Sequence, residues 1–157
     1  MAKEPSTPAL GSAAPPSVTL TEADVDNITM ITSASDPDKD FYQLSIHQAL
    51  QADKPLVVVF ATPAFCVSAT CGPQLEILTR LKEQYQDRVN FIHVEAFEDP
   101  HLMEGGRPAG DLVAAVKEWG LPSEPWTFIV GKDGAVKAKY DQFVPEEELG
   151  KVLNEIS

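Results

Sequence analysis

Two residues of the 157-residue chain carry thiol chemistry, Cys66 and Cys71, with Val67-Ser68-Ala69-Thr70 between them. Such a pair has three uses: reversible disulfide exchange, a permanent bridge, or capture of a soft metal ion such as Cu(I). Spacing limits the geometry. In an α-helix, positions i and i+3 share a face, whereas i and i+5 differ by ~500° of rotation and ~7.5 Å of rise. Cys66 and Cys71 cannot both lie in one regular helix and be bonded. Either a helix begins near Cys71 with a loop from Cys66, or there is no disulfide. Gly72-Pro73 favours the loop, since proline is well tolerated in a first helical turn. That arrangement places Cys71 nearer the helix dipole than Cys66. A metal ion needs further ligands. His93 falls inside a predicted strand, and His47 and His101 have no ligand-like spacing.

The surrounding pattern predicts the elements that position the pair. Asp40 is placed to cap a helix carrying Phe41, Leu44, Ile46 and Leu50. Leu56-Val57-Val58-Val59-Phe60 has no alternation and reads as a strand buried on both faces of a parallel sheet. Leu75, Leu78, Leu81 and Tyr85 form the stripe of the next helix, and Val89 to Val94 a second buried strand. Strand, helix, strand is a βαβ unit. A turn-rich loop over 96–110 precedes a helix with Leu112, Val113, Val116 and Trp119. Trp126 to Val130 and Ala135 to Tyr140 flank the turn Lys132-Asp133-Gly134 as a hairpin. Leu149, Val152, Leu153 and Ile156 make a last amphipathic helix after Pro145. Ile28–Ile31 is a candidate first edge strand. The order β-α-β-α-β-α-β-β-α predicts an α/β domain with a mixed parallel and antiparallel central sheet, flanked by helices on both faces.

Two stretches then carry a resemblance to the thioredoxin-like superfamily over roughly residues 27–157. One is VVVFATPAFCVSATCGP, residues 57–73, in which an aromatic residue, Phe65, precedes the first cysteine. The other is Trp119-Gly120-Leu121-Pro122-Ser123-Glu124-Pro125, similar to the segment ending at that family's cis-proline. With PWTFIVGKDG following, the chain resembles secreted or membrane-tethered thioredoxin-like reductases of bacteria. It departs from them in having four residues between its cysteines instead of two. Cys71 to Tyr85 is fourteen residues, the family's separation from resolving cysteine to helix-end aromatic, so Cys66 takes the attacking place. A rival alignment puts Gln74 in place of the second cysteine of Cys71-Gly72-Pro73-Gln74, but it requires a deletion in the helix. The family's buried carboxylate, six residues before the first cysteine, falls at Phe60.

The resemblance implies thiol–disulfide exchange in which Cys66 attacks, Cys71 resolves and Pro125 shapes the docking surface, with protein thiols or disulfides as partners. Phe65, Glu124 and Trp126 are candidate contacts for the partner; core packing is the competing role for Trp126, and a solvated loop charge for Glu124. From another class comes a non-catalytic binding module stapled by a structural Cys66–Cys71 bridge. A Cu(I) chaperone is a third alternative. No cofactor and no metal site are expected, and a monomer is.

Twelve Lys and Arg against 24 Asp and Glu give a net charge of −12, which repels phosphate backbones and argues against nucleic acid and anionic membrane as partners. No apolar run approaches the ~18 residues of a membrane span. Pro5, Pro8, Pro15 and Pro16 among Ala, Ser and Thr predict a flexible tail over residues 1–26, ahead of a domain over 27–157. That tail is either a terminus without a role or a spacer to an anchor outside this sequence. The resemblance and the tail point to an extracytoplasmic location, periplasm or cell surface, an oxidising compartment of the kind a persistent disulfide needs; a reduced pair is compatible with cytoplasm. The loop from Glu98 to Gly110 is either a recognition loop or a solvated insertion.

Overall fold

The computed structural model describes residues 7–34, 36–63, 71–85, 87–102, 110–122 and 125–156. Its centre is the strand β1, Leu56–Ala61, with every residue buried. β-branched side chains on both of its faces suit a strand covered from two sides. β1 pairs in parallel with β2, Asn90–Glu95, and antiparallel with β3, Trp126–Val130. β3 continues as a hairpin into β4, Val136–Asp141, which gives the order β2-β1-β3-β4. Gly134 supplies the left-handed φ of +83° at the hairpin turn, and the Asp133 carboxylate accepts from the Ala135 N–H.

The helices divide between the two faces. α2, Cys71–Tyr85, and α4, Glu146–Ile156, cover one; α1, Ile46–Leu50, and α3, Ala114–Glu118, cover the other. On the first face Leu78, Leu81, Tyr85, Leu149 and Leu153 meet Val57, Val59, Ala61 and Ile129. On the second, Ile46, Val116 and Trp119 meet Val58, Phe60, Phe128 and Val130. The mixed sheet, its βαβ unit and the helices on both faces are those predicted from the sequence.

Three local expectations are corrected. Ile28–Met30 forms a 3-10 turn, not an edge strand. Asn27 caps it by accepting from the Thr29 N–H, a local bond that competes with a sheet ladder. The helix expected from Asp40 to Leu50 is broken into a 3-10 turn, Lys39–Tyr42, and α1. Asp38 caps the former and Ser45 opens the latter in a reciprocal capping box with Gln48. The third is the expected flexible tail, much of which is held against the body. Ala13 bridges to Ala135 and the N–H groups of Gly11, Ala14 and Val136 bond across that contact. Farther on, the Ser17 carbonyl accepts from the His47 N–H, and its buried hydroxyl accepts from Trp119 Nε1 at 3.1 Å. Residues 7–20 thus form an arm that runs from the hairpin to α1 and α3. Proline-rich composition made this segment extended, but tertiary contacts hold it in place.

Candidate functional site

β1 and β2 run in parallel, and the carboxyl ends of both lie beside the amino end of β3: Phe60 is opposite Trp126, and Ala61 is opposite Glu95. The chain leaves β1 through the buried Thr62, and α2 starts at Cys71. Cys71 is fully buried and disulfide-bonded. Cys66, Phe65 and Glu124 lie outside the described residues. Of the predicted site residues, Cys71, Pro125 and Trp126 are described, and all three are buried.

Gln74 fixes the first turn of α2. Its side chain is fully buried; Nε2 donates to the Val144 carbonyl at 3.2 Å and Oε1 accepts from the Val144 N–H at 2.7 Å. Both polar ends of the carboxamide are thereby used, which makes burial of a polar side chain tolerable. Val144 belongs to the segment after β4, and that segment is tied to the next site residue, since the Gln142 N–H donates to the Pro125 carbonyl at 2.9 Å. One short stretch, 142–144, therefore holds both the helix start and the proline. Trp126 stacks on Phe128 with centroids 5.7 Å apart, and is 8% exposed. Its main contacts are those of the core, on the sheet face away from α2.

Phe60 occupies the position where the resemblance would put a carboxylate. It is fully buried in an aromatic cluster with Trp119 and Phe128. Titratable groups lie instead on β2. His93 is buried, and burial pushes its pKa down to about 4, against the Ala61 hydrogen bond, which favours the charged form. Nε2 lies 2.9 Å from the Ala61 carbonyl, which only accepts, so this nitrogen carries the proton. Nδ1 must then accept, and the Tyr42 hydroxyl donates to it at 2.7 Å. The Tyr42 oxygen in turn takes the proton of the Thr32 hydroxyl at 3.0 Å, and Thr32 Oγ1 accepts from the Ala34 N–H. This single-direction chain ends on the last residue of β1. Two residues along β2, the buried Glu95 accepts from the Ser33 N–H and hydroxyl. Burial, with the charges of Glu95 and Asp38 adding to it, holds the Tyr42 phenol well above its ordinary range, so it stays a donor.

A cleft of about 320 Å³ opens between the arm and this edge, walled by Leu20, Met30, His93, Glu95, Phe97 and Val113. At the two ends of the 98–110 segment, Phe97 bridges to Leu112 and Glu98 donates its N–H to the Asp111 carbonyl. Gly110 is required there, since a Cβ would come within 2.7 Å of the Glu98 carbonyl oxygen. Residues 103–109 lie outside the described residues.

The Cu(I) alternative meets an obstacle in His93, whose two ring nitrogens are both hydrogen-bonded within the core. Among the described residues, no group of three His, Cys, Asp or Glu side chains is placed to hold a metal ion. No described helix is long and apolar enough to cross a membrane. The sequence reading missed the role of Gln74 as a clamp and passed over Tyr42, Thr32 and Glu95. A glutamine three residues after Cys71, in line with Leu78 and Leu81, was the available signal for the clamp.

No protein-family model matches the sequence, and no curated protein matches it. Similarity appears in structure. A putative thiol:disulfide interchange protein DsbE from Chlorobium tepidum superposes with a TM-score of 0.68 at 12% identity, over 96% of this chain and 99% of that one. MTB DsbF, in mixed oxidized and reduced forms, gives a TM-score of 0.56 at 18% identity, over 73% of this chain and 90% of that one. Chloroplastic thioredoxin z gives 0.51 at 17% identity, over 69% and 82%. This chain has the thioredoxin-like fold.

Proposed function

We propose that the protein is a thiol–disulfide exchange protein in which Cys66 is the attacking thiol and Cys71 the resolving one. The observation that carries this reading is a buried, disulfide-bonded Cys71 at the first residue of α2, at the strand ends of a thioredoxin-like fold. The sequence holds one other cysteine, Cys66, as the intramolecular partner. Burial of Cys71 suits a resolving thiol, which needs to meet its own partner and not the substrate. The fifteen-residue helix behind it presents N–H groups that stabilise a thiolate there. In the exchange, a thiolate of the substrate attacks Cys66 Sγ and the Cys66–Cys71 bond breaks. Cys71 leaves as a thiolate, and the second substrate thiolate resolves the mixed disulfide. The substrate is oxidised by two electrons and the pair reduced by two; the reverse sequence reduces a substrate disulfide.

Pro125 and the Phe65, Glu124 and Trp126 positions form the docking surface in this reading. The partners are protein thiols or disulfides, and the location is extracytoplasmic, where a standing disulfide survives. The structural similarity to a protein described as a putative thiol:disulfide interchange protein supports it. A second reading, a binding module with a structural bridge, is favoured by the complete burial of Cys71 and by the Gln74 clamp.

The reduction potential of the pair decides between them, measured in glutathione or dithiothreitol buffers by thiol trapping and mass spectrometry. A value between about −120 and −270 mV is that of a working exchanger. A bond below about −300 mV, or one that opens only on unfolding, is a staple and removes the exchange reading.

A further inference from the structure

Among the described residues, one buried side-chain polar atom has no hydrogen-bond partner, Oγ1 of Thr127. Thr127 is fully buried on β3, with Val59 opposite it on β1 and Tyr140 on β4. An unmet buried hydroxyl is destabilising, and a valine would fill the same volume without that cost. Such a group asks for an explanation.

Its position supplies one. Along β3, Trp126, Phe128 and Val130 face α1 and α3, while Ile129 faces α2 and α4. Alternation puts Thr127 on the α2 side with Ile129. It is the second residue of β3, hence at the same end of the sheet as Ala61 and the start of α2. The first turn of α2 is drawn toward β3 and β4 by the bonds from Gln74 to Val144, and Gln142 bonds back to Pro125, two residues before Thr127. Cys71 belongs to the same buried cluster as Val59, Ala61 and Ile129, the neighbours of Thr127 on that face.

We propose that the Thr127 hydroxyl is a donor held in reserve for the Cys71 sulfur, unused in the disulfide and engaged when the bond opens. A disulfide sulfur is a weak acceptor, whereas a thiolate is a charged one that binds a hydroxyl proton strongly. Cys71 is fully buried, which favours a donor from the protein over one from solvent. The inference rests on the exchange reading and gives its leaving thiolate a specific partner: the Cys66–Cys71 electron pair moves to Cys71 Sγ, and the Thr127 O–H turns to it without transferring its proton. Thr127 then favours the reduced pair with Cys71 as thiolate and makes the pair more oxidising.

Equilibration of the full chain, Thr127→Val and Thr127→Ser with dithiothreitol at one pH, read by thiol trapping, tests the proposal. In Thr127→Val the dithiol-to-disulfide ratio is expected to fall about tenfold, equivalent to about 30 mV, and Thr127→Ser is expected to stay within twofold of the wild type. If the valine form folds poorly, Thr127→Ala removes the same hydroxyl and is expected to shift the ratio in the same direction. A valine or alanine ratio within twofold of the wild type overturns the proposal, as does a serine ratio that moves with valine. The wild-type rate of exchange with a dithiol tests the exchange reading separately, since the shift between variants is an equilibrium quantity.

Discussion

On the face of the sheet under α1 and α3, Phe60, Trp119, Trp126 and Phe128 pack ring to ring, with centroids of Trp119 and Phe128 4.8 Å apart. On the face under α2 and α4 the strands carry His93, Glu95 and Thr127, all buried, beside Val57, Val59 and Ile129. Every buried polar residue of the four strands lies on this second face. The difference separates two tasks on either side of one set of backbones. Aromatic packing supplies stability on the face away from Cys71. Polar groups, which cost desolvation unless partnered, are concentrated where Cys71 is. The absence of a carboxylate at Phe60 fits this division, because that side chain points to the aromatic face.

The contrast can be broken most severely from the aromatic side. Trp119→Ala should lower unfolding free energy by about 3–5 kcal/mol in urea titrations, because the fully buried indole leaves a cavity among rings that cannot collapse. Its loss should leave the redox potential of the cysteine pair near the wild-type value.

The polar side is expected to respond to pH. His93 is neutral when folded, its pKa lowered to about 4, whereas an unfolded histidine titrates near 6.5. As pH falls, the unfolded chain takes up the proton first. Stability from this group is therefore complete above about 6.5 and is lost as pH drops toward 4, by roughly 3 kcal/mol. Urea midpoints at several pH values check this, and His93→Gln should flatten the slope within that window. A wild-type curve no steeper than the variant's would show that His93 is not the group responsible.

Gln74→Leu should cost about 1–3 kcal/mol, since it strands the Val144 N–H and carbonyl in the interior. The same variant should alter the pair's potential, and a change in stability alone would make Gln74 part of the scaffold only. The smallest effect belongs to the arm: Ser17→Ala leaves Trp119 Nε1 without its acceptor and should cost about 1 kcal/mol by thermal unfolding.

Periodicity made the sheet readable. The apolar run at β1, the stripe of α2 and the hairpin around Gly134 each repeat a local signal that the tertiary structure reinforces. The breaks in that reading arose where short-range polar bonds or long-range contacts prevailed. Asn27 and Asp38 cap 3-10 turns where a strand and a helix were expected, and no hydrophobic pattern records such caps. Ser17 and Thr19 hold the arm by bonds to Trp119 and Ile46, residues 102 and 27 positions away. The cysteines and Pro125 stood out as candidates because their types are chemically distinctive. Gln74, Tyr42 and Thr127 were not, since an isolated polar residue among apolar neighbours looks like any solvated position until its partners, or their absence, are seen.

The arm has one more consequence, for how copies of this chain meet. β4 is the last strand of the sheet, with a row of backbone groups that would otherwise be open to pairing. Ala13 lies antiparallel beside Ala135, and Gly11, Ser12 and Ala14 take up the backbone groups of Gly134 and Val136. A short stretch of the chain's own beginning thus fills the place at the hairpin end where a neighbour's strand would add. Cleaving the chain ahead of residue 20 would uncover that edge, and strand-to-strand association into fibres or swapped dimers would then be open to a protein whose −12 charge is its other defence against it.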